Sequence, residues 1–242
     1  RFLSKCKIGQ TNLLSMKGGK WSIPEEKRDE FYELYEASIH EFTSTNYETF
    51  VCVPPEGCKL PLYLDIDLRL TGECDVVIDP FIKLAQHISE YLIKDCKLVK
   101  FFIVHKERGY FKKDRQFAIT CHIYFVNDIF VDKQDFANLK RYMNPKLKDI
   151  LSHYDFINPI DDVIDNRVPF TNGLVLPGGF KHKSTISGQY AIRCVGSYDR
   201  DAVFKTNKLT VDEFKEHFTM SPYFDFAFKK RQQTIPRVEK KK

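Results

Sequence analysis

Asp65 and Asp67 stand two residues apart inside Tyr63-Leu64-Asp65-Ile66-Asp67-Leu68, an apolar run with strand character. Side chains alternate faces along a strand, so Tyr63, Asp65 and Asp67 share one side, and Leu62, Leu64, Ile66 and Leu68 share the other. The two acidic Cβ atoms then lie roughly 7 Å apart, from a rise of about 3.3 Å per residue. Ionised carboxylates at that spacing repel unless a cation lies between them. Their hard oxygens suit Mg2+ or Mn2+. The same pattern also fits a solvent-facing strand edge with incidental acids.

A second strand is expected at 117–126. Phe117, Ile119, Cys121, Ile123 and Phe125 make one apolar face; Ala118, Thr120, His122, Tyr124 and Val126 make the other. A lone histidine on a half-buried strand is ordinarily structural. Here a hydroxyl and an imidazole sit two apart on one face, the arrangement expected if both donate to an anion such as phosphate. Further on, Val163-Ile164-Asp165 is another step from apolar residues to an acid, with Asp161 and Asp162 as competitors for the role of third carboxylate. It leads to a short apolar strand, the turn Pro177-Gly178-Gly179, and the basic run Lys181-His182-Lys183. The glycines permit positive φ and close approach of backbone to a ligand, and the lysines suit phosphate as point charges. An ordinary tight turn fits that piece equally.

Taken in order, D-x-D, T-x-H and an apolar residue followed by Asp, this chain resembles the archaeo-eukaryotic primase superfamily over about residues 45–200. The resemblance is to its primase–polymerase branch and to the primase domains of large DNA viruses. It implies that Asp65, Asp67 and Asp165 hold two divalent ions, Mg2+ or Mn2+, and are the catalytic residues. It implies that Thr120 and His122 contact the incoming triphosphate and that Lys181 lies near the phosphates. A single-stranded DNA template and nucleoside triphosphates are the implied partners, with a helicase domain C-terminal in the full-length protein. If the source is viral, the host cytoplasm or nucleus is implied. The departures are Thr120 in place of serine, Ala118 where relatives carry a basic residue (Arg115 is nearby), and Val175 where relatives tend to have arginine.

The surrounding elements must position these groups. Ser22-Ile23-Pro24-Glu25 reads as a helix start, with the helix running to about Phe42 and Phe31, Leu34, Tyr35, Ser38 and Phe42 on one side. Strands are expected at 47–53 and 99–105. Asp79-Pro80 opens a helix carrying Phe81, Leu84, Ala85, Ile88, Tyr91 and Leu92 at helical spacing. Another helix covers 132–150, with Pro145 as a possible bend. Segment 151–172 reads as irregular, strands follow near 173–177 and 189–195, and Thr210 starts a last helix to about His217. This order predicts an α+β fold, helices on a mixed or antiparallel sheet. The resemblance adds a catalytic core with an RNA-recognition-like subdomain. The expected organisation is one catalytic domain over 1–228, of two closely packed subdomains with an N-terminal helical element at 1–45, then a basic linker or tail at 229–242.

The 242 residues, 43% hydrophobic and 14% aromatic, suffice for a substantial core and exclude global disorder. The formal charge of +5 is concentrated in the tail: without 229–242 the chain is near neutral. A nucleic-acid surface must therefore be local. Residues 97–115 offer Lys106, Arg108, Lys112, Lys113 and Arg115 with Tyr110 and Phe111 between them, a mixture suited to single-stranded nucleic acid; a solvated hairpin is the plain alternative. Seven cysteines without a C-x-x-C pair argue against a zinc ribbon or a secreted disulfide framework, so an intracellular, reducing setting is expected. No apolar run is long enough to span a membrane. The chain opens on Arg1-Phe2 rather than Met, so a piece of a longer protein is expected. Two other functions fit these residues. A metal-dependent nuclease would use the same acids on water, and a non-catalytic binding module would rely on the basic loop.

Overall fold

The computed structural model describes residues 2–6, 11–39, 50–52, 59–92, 98–106, 108–112, 114–125, 129–166, 170, 173–176, 178–179, 190–199 and 205–207. In chain order these form β1 (Leu13–Ser15), β2 (Lys20–Trp21), α1 (Arg28–Ile39), β3 (Phe50–Cys52), β4 (Leu60–Pro61), β5 (Tyr63–Leu70) and α2 (Asp79–Leu92). There follow β6 (Leu98–His105), β7 (Tyr110–Phe111), β8 (Phe117–Phe125), β9 (Phe130–Val131), α3 (Lys133–Ile150) and α4 (Ile160–Val163). The last are β10 (Ile164–Asp165), β11 (Leu174–Val175), β12 (Ala191–Asp199) and β13 (Lys205–Asn207). The fold is α+β, and the pairings among the described strands are antiparallel.

The main sheet runs β10-β5-β8-β6-β12-β13, with β7 also paired to β8. β8 is its centre, and all nine residues of that strand are buried. On one face, Leu64, Ile66, Leu68, Ile119, Cys121 and Ile123 meet Phe81, Leu84 and Ile88 of α2 and Phe136, Leu139, Met143 and Leu147 of α3. On the other face, Tyr63, Tyr124, Phe102 and Val104 meet Phe31 and Tyr35 of α1, Leu13 of β1, Phe50 of β3, and Leu176. The elements on that second face include a smaller sheet in the order β11-β3-β1-β2. The polar face of the expected 117–126 strand is therefore covered rather than wet, because a second layer of aromatic side chains lies on it.

Several expected elements shift. Ser22 does not cap a helix: its N–H donates to the Cys6 carbonyl at 2.7 Å, and a 3-10 turn over Glu25–Lys27 precedes α1. Leu34 is 49% exposed and Tyr32 takes its place inward, so α1 buries Phe31, Tyr32 and Tyr35. Strand 47–53 is seen as Phe50–Cys52, and the other positions of that range lie outside the described residues, as do Phe42, Val126 and the 210–217 helix. Strands expected near 173–177 and 189–195 appear as Leu174–Val175 and Ala191–Asp199. Pro145 sits within α3 without ending it. The 151–172 segment is not wholly irregular: it contains α4 and β10 and lines the edge of β5. There the Ile157 N–H donates to the Arg69 carbonyl at 2.7 Å, and Asn158 bridges the Arg69 N–H and the Asp67 carbonyl. No helix among the described residues is long and apolar enough to cross a membrane.

Candidate active site

Strand register brings the distant motifs together. Asp65 faces Asp165 across β5/β10 and His122 across β5/β8, while Asp67 faces Thr120. Cross-strand partners share a face, with Cβ atoms about 4.5–5.5 Å apart. The result is one row of Asp165, Asp65 and His122, and beside it a row of Asp67 and Thr120. Of the three competing acids, Asp165 is the one in register with Asp65; Asp161 and Asp162 lie on α4.

Lys140 of α3 fixes the entry to β10. Its ammonium donates to the carbonyls of Asp161 at 2.7 Å and Ile164 at 2.8 Å. Burial lowers its pKa, opposed by Asp161, Asp165 and Asp162. Nothing in the sequence marks Lys140 as different from the other lysines of that helix.

The side chains on this face are largely buried. Asp65 Oδ1 lies 3.4 Å from His122 Nε2. Asp67 Oδ2 accepts from Lys112 Nζ at 2.7 Å, and Arg69 Nε is 3.8 Å away. The buried polar atoms without a hydrogen-bond partner among the described residues include three on this face: Asp67 Oδ1, Thr120 Oγ1 and His122 Nδ1. An unsatisfied buried polar group costs about 1–3 kcal/mol, and such a group is expected where a ligand supplies the partner. Two neighbouring strands carry all three, on one face.

Among the described residues, no group of three or more His, Cys, Asp or Glu stands ready to hold a metal ion. The carboxylates fit a hard divalent cation by chemistry and by face. One Asp67 oxygen, however, is turned onto Lys112, so a cation bound there would have to displace the ammonium.

The basic segment divides. Arg108 and Arg115 are exposed, and Arg115 occupies the left-handed region (φ 63°) at the tip of a turn closed by the Lys112 carbonyl and the Arg115 N–H. Tyr110 is half-buried. Gly109 lies flat on the Phe117 ring, where a Cβ would come within 2.3 Å of a ring atom, so only glycine lets this strand return onto β8. Lys112 turns to Asp67. Lys106 departs from the expected open surface: it is 2% exposed, with its ammonium 4.8 Å from the Tyr110 ring centre and 5.1 Å from that of Tyr190. Lys113 lies outside the described residues.

Lys181 also lies outside the described residues; Gly178, Gly179 and Tyr190, on either side of it in the chain, are described. Gly178 (φ 85°) donates its N–H to the Tyr190 carbonyl at 2.6 Å, and the Tyr190 N–H donates to the Gly179 carbonyl at 3.0 Å. Tyr190 in turn stacks on His122, with ring centres 4.8 Å apart and planes 13° from parallel. Sequence reasoning missed Tyr190, since its only signal is a place after a basic run. A groove of about 670 Å³ lined by Phe136, Lys140, Arg141, Asn144, Asp161 and Asp162 takes in two of the three competing acids, but not Asp65, Asp67, Asp165, Thr120 or His122.

Residues 11–195 match the family described as the C962R protein N-terminal AEP domain, AEP denoting archaeo-eukaryotic primase. No curated protein matches the chain.

Proposed function

This chain belongs to the archaeo-eukaryotic primase family of C962R N-terminal domains, and from that premise we propose that it carries out template-directed nucleotidyl transfer on single-stranded DNA. The observation that carries the reading is the clustering of Asp67 Oδ1, Thr120 Oγ1 and His122 Nδ1, buried, on one sheet face and without partners among the described residues. Asp65, Asp67 and Asp165 would hold two divalent ions, Mg2+ or Mn2+. Such a pair supplies activation of the attacking 3′-hydroxyl and charge neutralisation on the leaving pyrophosphate. Thr120 and His122 donate to the triphosphate, so the protein's part is placement and electrostatics. Lys181 is assigned to the phosphates, and Arg108, Tyr110, Lys112, Lys113 and Arg115 to the template. A helicase domain in the full-length protein belongs to the same reading.

The test is a gel assay with single-stranded template, Mg2+ or Mn2+ and labelled ribo- or deoxyribonucleotides, with and without primer. Asp65→Ala combined with Asp67→Ala is expected to abolish product while the circular dichroism spectrum stays unchanged. Extension by that double variant would sink the assignment of the acids. Template shortening in place of synthesis would identify a nuclease.

A further inference from the structure

Lys106 follows the end of β6, whose register with β8 sets Val104 against His122 and His105 against Cys121. One residue further, Lys106 comes level with Thr120 and on the same face. Reading across the sheet from β5, one row therefore carries a carboxylate (Asp67), a hydroxyl (Thr120) and an ammonium (Lys106). Beside it the other row carries Asp165, Asp65 and His122. Along the face stand the acids at the β10/β5 edge, with Lys112 and Arg69 beside Asp67, then the hydroxyl and imidazole on β8, then the Lys106 ammonium past the end of β6. A metal-bound polyphosphate has the complementary order, with its cations at the acid end and its anionic oxygens over the donors.

Two rings hold the cation in place. Tyr110 and Tyr190 each present a face within about 6 Å of the ammonium, the range of cation–π attraction. Tyr190 is shared, because it also stacks on His122. It is 1% exposed, and its backbone is bonded to Gly178 and Gly179. One phenol thus fixes the plane of the imidazole and the position of the lysine together.

We infer that Lys106 is a ligand of the nucleotide's phosphates rather than of the template, and that Tyr190 is the positioning residue that aligns Lys106 and His122 for it. The inference rests on the nucleotidyl-transfer reading and names a further part of the same site.

Equilibrium binding of a nucleoside triphosphate with Mn2+, and separately of a single-stranded oligonucleotide, tests it on the full chain. Lys106→Met is expected to weaken triphosphate binding roughly tenfold or more, the size of one charge-assisted hydrogen bond, and to leave oligonucleotide binding unchanged. Lys106→Arg should recover most of the loss. Should Lys106→Met fail to fold, the Tyr190 pair carries the test. Tyr190→Phe keeps the ring and the affinity. Tyr190→Leu loses affinity and moves the His122 ring resonances in a 1H–13C spectrum, which a loss of packing elsewhere would not do. A Lys106 variant that loses oligonucleotide binding and keeps triphosphate binding overturns the assignment, as does Tyr190→Leu with both readouts unmoved. If the wild-type chain shows no metal-dependent triphosphate binding, the transfer reading itself fails. If it binds and Lys106→Met binds equally, only the inference fails.

Discussion

His105 shows how one buried side chain acts on the whole fold. Burial lowers its pKa from the ordinary 6.5, more than its hydrogen bond to the Lys106 carbonyl at 2.6 Å restores, and Arg193 adds repulsion. The unfolded chain therefore binds a proton that the folded chain resists. Between the lowered value and 6.5, stability rises with pH and is lost as the solution is acidified. The melting temperature is expected to fall from about pH 7 to about pH 5.5, with a component absent in His105→Gln, as calorimetry on both proteins would read. An unchanged slope in the variant would assign acid sensitivity to the carboxylates alone. At this scale the sequence was legible where type and spacing suffice: Asp65, Asp67, Thr120 and His122 lie on the face that alternation assigns them. It was not legible for Lys106, which has the composition of a surface lysine and is buried because two tyrosines far apart in the chain converge on it.

At the level of elements, apolar periodicity located β5, β8, α2 and α3, since each buries a long stripe against the sheet. Of the two-residue strands, β11 fell within an expected strand and β10 did not. β10 is held by its edge pairing with β5 and by Lys140, neither of which leaves a local pattern. The start of α3 shows what a local signal achieves. Asp132 accepts from the N–H groups of Gln134 and Asp135, and the Asp135 carboxylate accepts from the Asp132 N–H, a reciprocal capping box. Asp132→Ala should cost about 0.5–2 kcal/mol in urea unfolding. The exposed bridges from Lys59 add little to that. A smaller loss would mean that α3 is held by its buried face alone. Pro145 occupies an exposed position of α3, where it removes one intrahelical N–H donor without ending the helix.

For the molecule as a whole, the sequence implied an α+β body with helices against a sheet. It did not reveal that both faces of that sheet are covered, because covering the second face takes strands of two or three residues from separate parts of the chain. The consequence concerns Asp67 and Lys112, which are held together at 2.7 Å. Lys112 cannot hold Asp67 and a template phosphate at once. On the proposed reading, a divalent ion at Asp67 releases the lysine to the template, so the two ligands are thermodynamically linked. Mn2+ should tighten oligonucleotide binding by about fivefold or more, and the oligonucleotide should tighten Mn2+ by the same factor, since coupling free energy is reciprocal. Lys112→Ala should uncouple the two, which paired titrations would detect as a factor near one. The resting ion pair then acts as an interlock: the domain grips its template firmly only once it is loaded for chemistry.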